Sequence, residues 1–444
     1  MVPRAFALDL AALRIAVAAV VLTSPDVRAA RLAATWSVDL RAVPWGLGWV
    51  APALPGPEWL PLTATVLLMA ATTLLLVGLW TRASATLATL SAVYLLALPQ
   101  LVGTVRHTHH LVWFLALIAC SPCGDAVSLD RHFRARRGEA VADDEATPRY
   151  GVPLRLGFVV LGLVYFFPGL WKLVHGGWAW VASDQFIHQM HWKWAQMGRV
   201  PALRVDQWPL LCQVGAGLTV AFELGFLPLA VLTRWRIPLV LGCVAFHIAI
   251  EQVMLIPFQS LWLCALGLWP WTDVLRRVDG WLGRSRTLAK MLPSPAPTRA
   301  TAWGGALLVA GIGLAGAREQ TAGWPFACYP TFARMVGEAM PLLEVTRRGP
   351  EGQRAVVPLR LAGVDGQRHL GLQWQLGLDV VGPRRTRGLT AYLRAGLRPS
   401  DRSGVVCVDR TWVSTVPERV GRRMRRDPLE CFDGRTLEPL PARP

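Results

Sequence analysis

Long apolar stretches recur along the first 317 residues of this 444-residue chain. An α-helix needs about 20 mostly apolar residues to cross the hydrocarbon core of a bilayer. Four stretches are uncharged and about that long, three carry a few charged or polar residues, and two are shorter. We therefore predict an α-helical polytopic membrane protein with about nine transmembrane helices, eight and ten being the alternatives. The predicted spans are 5–23, 59–80, 83–105, 111–122, 152–174, 210–232, 237–250, 252–272 and 300–317, and the boundary between the seventh and eighth is open as far as Pro257.

The pattern changes after residue 317, where long apolar stretches stop and arginine becomes frequent. Short apolar runs alternate there with turn residues, which is typical of strands joined by turns. We predict a membrane domain over residues 1–317 and a small soluble β-rich domain over residues 318–444, a usual size for one domain. The basic run 419–426 indicates a solvated helix face or, alternatively, a contact with anionic lipids. The predicted strands are 354–361, 370–376 and 404–408, with turns at Asp365-Gly366 and Asp433-Gly434.

The chain has a net charge of +17, from 46 lysines and arginines against 29 aspartates and glutamates. The basic residues are spread over loops without a nucleic-acid-binding motif, so we predict no nucleic-acid partner. Positively charged loops stay in the cytoplasm, and with nine spans the three basic loops share one side with the N-terminus. The N-terminus is then cytoplasmic and the C-terminal domain extracytoplasmic. Because Asp9 and Arg14 interrupt its apolar run, the N-terminal stretch is interpreted as the first span rather than a cleaved signal peptide.

The connection between the predicted fifth and sixth spans, residues 176–208, is rich in tryptophan. Tryptophan favours the interface between membrane and water, which indicates a segment lying on the external headgroup layer. A lid over a cavity is the alternative, and composition alone does not separate the two.

The eight cysteines show no metal-binding pattern. Cys120 and Cys123 have the spacing of a metal or redox motif, but no second pair accompanies them, so no metal site is predicted. Cys328, Cys407 and Cys431 lie in the predicted external region, where a disulfide is permitted. Because their number is odd, at most one intramolecular pair forms among the three, and the sequence does not identify it.

Lys172 follows the apolar run 156–171 in a chain with only three lysines among its 46 basic residues. Arginine would serve equally well as an anchoring charge, but lysine releases its proton more readily when it is desolvated. An ionisable group within a membrane span is a functional candidate by default. The competing interpretation is a lysine that extends from the helix end to the membrane interface.

Other ionisable side chains lie in or near the predicted spans. They are His107, His109 and His110 at the start of the fourth span, Glu223 in the sixth and His247 in the seventh. The predicted topology places His110 and Lys172 at a similar depth, which predicts an outward-opening cavity suited to proton transfer. For Glu223 the preferred interpretation is a structural hydrogen bond within the helix bundle. The alternatives are an interhelical hydrogen bond for His247 and an interfacial position for the histidine cluster. A zinc site formed by that cluster lacks a carboxylate or cysteine ligand.

Four short motifs follow one another along these spans. They are His109-His110-Leu111, Ser128-Leu129-Asp130, Tyr165-Phe-Phe-Pro-Gly-Leu-Trp-Lys172-Leu and Phe246-His247. In this order they resemble the HTTM superfamily, the family of vitamin K-dependent gamma-glutamyl carboxylase and its prokaryotic relatives, over residues 5–335. The chain departs from the carboxylase at Trp171, where that enzyme has a first lysine, and at His109, where it has asparagine.

The resemblance implies that Lys172 is the base that deprotonates vitamin K hydroquinone or a related quinol. Oxygen then gives an epoxide and a strong base, which takes a glutamate γ-proton before carbon dioxide adds. The same resemblance implies that His110 and His247 position or stabilise the quinol and its oxygenated form, and that His109, Tyr165 and Phe246 bind it. No glutamate-substrate site is identified, so quinol oxygenation is better supported than carboxylation.

The leading hypothesis is therefore a membrane enzyme that oxygenates a quinol, with a secreted peptide or protein as a further substrate. The second hypothesis is a non-enzymatic membrane protein that matures or binds a secreted, toxin-like peptide. A transporter ranks third, because the sequence shows neither a broken-helix repeat nor an acidic relay.

Overall fold

The computed structural model describes residues 3–35, 40–41, 46–50, 53–101, 107–139, 145–231, 236–281, 298–321, 323–329, 332–349, 353–359, 361, 369, 372–379 and 382–441. Helices dominate the described chain, and a small sheet follows them. In chain order the helices are α1 (Ala7–Thr23), α2 (Pro25–Ala29), α3 (Trp59–Val77), α4 (Thr81–Ala97), α5 (His109–Ala119), α6 (Leu129–Arg136), α7 (Pro148–Gly176), α8 (Ala179–Ala182), α9 (Gln185–Met197), α10 (Pro209–Ala230), α11 (Arg236–Met254), α12 (Gln259–Leu266), α13 (Trp271–Trp281), α14 (Arg299–Ala317) and α15 (Pro383–Gly396).

Six helices in the described part of the chain are long and apolar enough to cross a membrane, namely α3, α4 with its extension to Leu101, α7, α10, α11 and α14. The pair formed by α1 and residues 25–35, bent by 48°, makes a seventh if it is one span. Helix α5 is apolar but has only 11 residues. The prediction of a helical protein with several apolar spans is thus confirmed, with six to seven candidate spans among the described residues.

The predicted eighth span, 252–272, is not one helix, and that prediction is wrong. Helix α11 runs on to Met254, and α12 contains only 8 residues, which is about 12 Å of helix. The polar-faced helix α13 follows after Pro270. Pro257 and Pro270 lie in the two breaks, because proline cannot donate to the helical hydrogen-bond ladder.

Helix α7 is the central element and packs against α1, α5, α10 and α14. Its contact with α10 depends on two glycines. A Cβ on Gly162 would lie 2.8 Å from Leu227 Cδ1, and a Cβ on Gly169 would lie 2.9 Å from Glu223 Cβ. Small residues let neighbouring helices approach closely, so these glycines hold α10 against the face of α7 that carries the candidate site.

Buried and partly buried arginines and acids join the loops near the N-terminal end of α7. We call Arg14, Asp125, Asp130, Arg134 and Arg149 the arginine cluster. The Arg14 guanidinium donates to the carbonyls of Cys123 at 2.8 Å and Val127 at 2.5 Å. Asp125 accepts hydrogen bonds from Arg134, Arg149 and the Tyr150 hydroxyl at 3.0–3.1 Å.

Asp130 belongs to the predicted Ser128-Leu129-Asp130 motif, and its position explains that motif structurally. The Ser128 hydroxyl caps the first turn of α6 by accepting from Arg131 N. The Asp130 carboxylate accepts from Trp80 N, Thr81 N and the Thr81 hydroxyl at 2.6–2.8 Å. The motif therefore joins the starts of α4 and α6, as N-terminal capping predicts for Ser and Asp.

The described C-terminal residues form an antiparallel sheet of order β2-β1-β3-β4. Its strands are β1 (Ala339–Arg348), β2 (Arg354–Val356), β3 (Val405–Ser414) and β4 (Arg423–Asp433). Helix α15 covers one face through Leu389 and Leu393, which pack against Val406 and Phe432. The prediction of strands near 354–361 and 404–408 is confirmed in part, because β2 and β3 overlap both ranges.

Two predictions for this region are wrong. The described part of 370–376 is helical, ending in a π-helix over Gln375–Asp379. The basic run 419–426 enters β4 instead of forming a helix face, and there Arg423 and Arg426 pair with Glu344 and Asp409 across the sheet. Of the predicted turns, Asp433-Gly434 lies at the end of β4, with Asp433 as its last residue and Gly434 in the turn that follows. Asp365-Gly366 lies outside the described residues.

One disulfide joins Cys407 to Cys431, which are partners in the register of β3 and β4. Cys328 is free and buried. The expectation of at most one pair among these three cysteines is therefore met, and strand pairing decides which pair forms.

Candidate functional site

An apolar cavity lies at the C-terminal end of α7, where α7, α10 and α11 meet the start of α5. Its empty space, including the open solvent at its mouth, is about 740 Å³. Its polar lining consists of His107, His110, Tyr165, Lys172, Gln189, Thr219, Glu223, His247 and Tyr329. Its apolar lining consists of Val164, Pro168, Trp180, Phe186, Phe246, Ile250, Met254, Phe258, Leu261 and Phe332.

The wall formed by α7 follows from the spacing of Tyr165, Gly169 and Lys172. Residues four and seven positions apart share one face of an α-helix. Tyr165 and Lys172 are buried, at 3% and 1% exposure. Gly169 lies between them without a side chain and gives Glu223 of α10 room to approach. The Tyr-x-x-x-Gly-x-x-Lys motif thus places a phenol and an amine on the cavity with a contact to α10 between them.

Lys172 forms an ion pair with Glu223 at the wall of the cavity. Its Nζ lies 2.8 Å from both carboxylate oxygens. The lysine side chain is 2% exposed and the glutamate side chain 8%. The Nζ atom also lies 5.3 Å from the centre of the Trp180 ring, a distance at which an aromatic face attracts a cation. The ammonium is therefore held by a carboxylate and by an indole ring.

Tyr165 connects α7 to α11. Its hydroxyl lies 2.8 Å from His247 Nε2 and 3.0 Å from Cys243 Sγ. His247 Nδ1 is buried and has no hydrogen-bond partner among the described residues. Phe246 also lines the cavity and stacks on Phe222, with ring centres 4.5 Å apart. The predicted Phe246-His247 pair therefore contributes one apolar and one polar side chain to the same wall.

Two histidines of the cluster are buried within the protein, His109 at 0% and His110 at 2% exposure, and His107 is partly buried. His107 and His110 line the cavity. The Nε2 atom of His110 has no hydrogen-bond partner within the described part of the protein. His109 turns away, since its Nε2 lies 3.0 Å from the carbonyl of Gly323. His109 thus secures the segment that returns after α14 and is not part of the cavity wall.

Helices α8 and α9, residues 179–197, cover the cavity and are called the lid. Trp180, Phe186 and Gln189 of the lid belong to the cavity lining. The lid is bonded to residues 332–337, the exit segment that leads into β1. The bonds run from Trp180 Nε1 to Phe332 O, from Gln185 and Gln189 Nε2 to Arg334 O, and from Trp192 Nε1 to Gly337 O, with lengths of 2.7–3.3 Å. Of the two interpretations of the connection 176–208, the structure favours the lid.

The structure brings five of the six predicted site residues to one cavity, namely His110, Tyr165, Lys172, Phe246 and His247. Their catalytic and binding roles stay predictions. The predictions assigned Glu223 to interhelical structure and gave no role to Trp180 or Gln189. The sequence did indicate that Glu223 has a partner, because a carboxylate inside an apolar span is energetically costly without one. For the lid residues the only signal was the density of aromatic side chains.

Among the described residues, no group of three or more His, Cys, Asp or Glu side chains is placed to hold a metal ion. Cys120 and Cys123 are both free thiols, and Cys123 is buried beside the carbonyl of Ile118.

Comparisons of the chain with protein-family models, curated proteins and solved structures found no match. The function is therefore inferred from the residues of the cavity and from the short motifs that carry them.

Proposed function

We propose that this chain is an HTTM-like membrane enzyme that oxygenates a quinol in the cavity at the end of α7. The substrate is vitamin K hydroquinone or a related quinol, with molecular oxygen as co-substrate. Carboxylation of glutamate in a secreted peptide, with carbon dioxide, is the further reaction that the motif resemblance implies.

One observation carries the proposal: Tyr165, Lys172, His110, Phe246 and His247 come from three separate stretches of the sequence and line the same apolar cavity. The resemblance assigns quinol chemistry to these positions. Quinol chemistry requires these side chains to lie in one cavity. Side chains that only formed separate interhelical hydrogen bonds would not need to share a cavity.

The cavity has the chemical character that a quinol requires. Aromatic and aliphatic side chains such as Phe246, Phe258 and Met254 offer an apolar surface to a ring and its hydrocarbon tail. The quinol hydroxyls need polar partners, and the buried Nε2 of His110 lacks one among the described residues. The Lys172–Glu223 pair lies on the same lining. Such a site combines a large apolar surface with few polar groups, as ligand pockets usually do.

The apolar helices are compatible with a lipid bilayer, from which a lipid-soluble quinol would enter. Large apolar side chains point away from the protein on α3, α10 and α11, for example Val66, Leu218 and Leu241 at 59%, 67% and 55% exposure. We propose that the N-terminus is cytoplasmic and the sheet extracytoplasmic, as the basic loops predict. The cavity, next to the exit segment, then opens toward the external side.

The first test is quinol epoxidation by protein purified in detergent. Incubated with reduced vitamin K and oxygen, the wild type is expected to form epoxide, measured by chromatography, and Lys172→Ala is expected to form none. Arg136→Ala is the control, because Arg136 is an exposed cation of α6 outside the cavity lining, and it is expected to form epoxide like the wild type. Absence of epoxide from folded wild-type protein would refute the proposal.

The second candidate function is binding or maturation of a secreted peptide without quinol chemistry. The observation that favours it is the Lys172–Glu223 ion pair, because an ammonium paired to a carboxylate is not a free base. Under this reading the folded wild type forms no epoxide, and it binds a peptide co-expressed with it.

A further inference from the structure

The Lys172 side chain makes two kinds of contact that are typical of an ammonium group. The Nζ atom makes two 2.8 Å contacts to Glu223 and faces the Trp180 ring at 5.3 Å. Hydrogen bonds between charged groups and cation–π contacts both stabilise an ammonium over an amine. A lysine in this position is well placed to stabilise an anion and poorly placed to remove a proton.

We infer that Glu223 accepts the proton of the quinol, and that Lys172 remains an ammonium and stabilises the resulting quinolate. This inference rests on the proposed quinol oxygenation and names the residue that begins it. Glu223 is the only acidic side chain among the described residues that line the cavity.

The proton transfer is balanced in charge. A quinol O–H bond breaks and an O–H bond forms on a Glu223 carboxylate oxygen, without any change in oxidation state. Before the step the site holds one cation, Lys172, and one anion, Glu223. After the step it holds the same cation and one anion, the quinolate, so the ammonium only exchanges its partner.

Transfer to His110 instead would leave two cations and two anions in the cavity. Separated charges are costly in an apolar environment, so the number of charges favours Glu223 over a neutral imidazole. His110 retains a positioning role as a hydrogen-bond partner for a quinol oxygen. Gly169 supports the arrangement, because its missing side chain lets the Glu223 carboxylate reach the lysine.

The epoxidation rates of two conservative variants show whether Glu223 or Lys172 accepts the quinol proton. Glu223→Gln is expected to lower the epoxidation rate by about 10²- to 10⁴-fold, the usual contribution of a general base. Lys172→Arg keeps the cation but cannot be a base, and is expected to retain measurable epoxidation. Glu251→Gln, a carboxylate on α11 outside the lining, is the matched control and is expected to keep the wild-type rate. Wild-type-like rates in Glu223→Gln would overturn the inference.

Infrared difference spectroscopy tests the same step without turnover. Adding vitamin K hydroquinone to the wild type without oxygen is expected to produce the carbonyl band of a protonated carboxylic acid, which shifts in D₂O and is absent in Glu223→Gln. If Lys172 is the base, the acid band is already present before quinol is added and does not change. If the wild type forms epoxide but shows no new band, Glu223 is not the proton acceptor, while the proposed function stands. If the wild type forms no epoxide, the proposed function itself is overturned.

Discussion

The two ends of α7 hold buried charges in different ways. Tyr150 and Lys172 are 22 residues apart on this helix, which is about 33 Å at 1.5 Å per residue. In the arginine cluster, Asp125 and Asp130 each accept three hydrogen bonds from protein groups. At the cavity, the Glu223 carboxylate contacts one ammonium and borders open space.

This difference distinguishes a structural polar cluster from a candidate reaction site. Buried polar groups that serve structure are satisfied by the protein itself. A reacting group has to keep some of its hydrogen-bonding capacity for a ligand. The Glu223 carboxylate and the unpartnered His110 Nε2 meet that condition within the described residues, and the acids of the arginine cluster do not.

The largest expected effect comes from removing one member of the pair at the cavity. Lys172→Met leaves the Glu223 charge buried without a partner, which typically costs about 3–5 kcal/mol. The double variant Lys172→Met/Glu223→Leu should recover most of that stability and still form no epoxide. The stability of the single and the double variant is measured by unfolding in a denaturing-detergent titration, and epoxide is measured by chromatography. Equal stability of the single and double variants would show that the pair is not buried as described.

A smaller loss is expected at the arginine cluster. Arg14→Met removes the donors to the Cys123 and Val127 carbonyls, which should cost about 1–3 kcal/mol, since the Cys123 carbonyl stays buried without its partner. Arg136→Met, an exposed arginine of α6, serves as the control and should have little effect. Epoxidation per folded molecule should be the same in both variants, and a selective loss of rate in Arg14→Met would contradict the separation of the two ends.

Asp130→Asn should cost about 1 kcal/mol, the usual value of an N-terminal cap. Burial alone would raise the pKa of Asp130, but hydrogen bonds from Thr81 and Trp80 outweigh it and lower the pKa below the ordinary 3.8. The aspartate therefore stabilises the fold fully above about pH 4, and this contribution is lost as the pH falls through the lowered pKa. Unfolding midpoints of wild type and variant should converge below pH 4, and a constant difference would contradict this role.

The smallest expected effect concerns the lid. Trp192→Phe keeps an aromatic ring and removes the 2.7 Å bond to Gly337 O, at a cost of about 0.5 kcal/mol for a partly exposed hydrogen bond. Faster hydrogen exchange in the exit segment, with unchanged exchange in α4, would confirm that the lid is held there. Unchanged exchange in both regions would show that this bond does not hold the lid.

Lys172 could be predicted because ionisable groups are rare in apolar spans, and Tyr165 because its motif resembles that of the HTTM superfamily. The partner of Lys172 could not be predicted with the same certainty. Whether Glu223 faces Lys172 depends on the rotation of α10 about its axis, which the Gly162 and Gly169 contacts determine. His109 was misplaced for a similar reason, because its neighbour, the carbonyl of Gly323, is distant in sequence.

Errors in the fold have local physical causes. The stretch 252–272 is uncharged, but its two prolines end helices, and hydropathy does not register that. The basic run 419–426 was interpreted from its charge, whereas the pairing of β4 with β3 places Arg426 beside Asp409. The length of the apolar stretches predicted most of the long helices, whereas the pairing of the basic run in the sheet depends on contacts between segments that are distant in sequence.

The bonds between the lid and the exit segment set an order for the making of the protein. They join side chains of residues 180–192 to carbonyls that lie 145 to 152 residues later in the chain. A ribosome that adds roughly 5–20 residues per second needs about 8–30 s for that length. The lid can therefore bond to the exit segment only after α14 has been synthesised. A chain truncated before residue 332 would retain Lys172 and Glu223 but would lack these bonds to the lid.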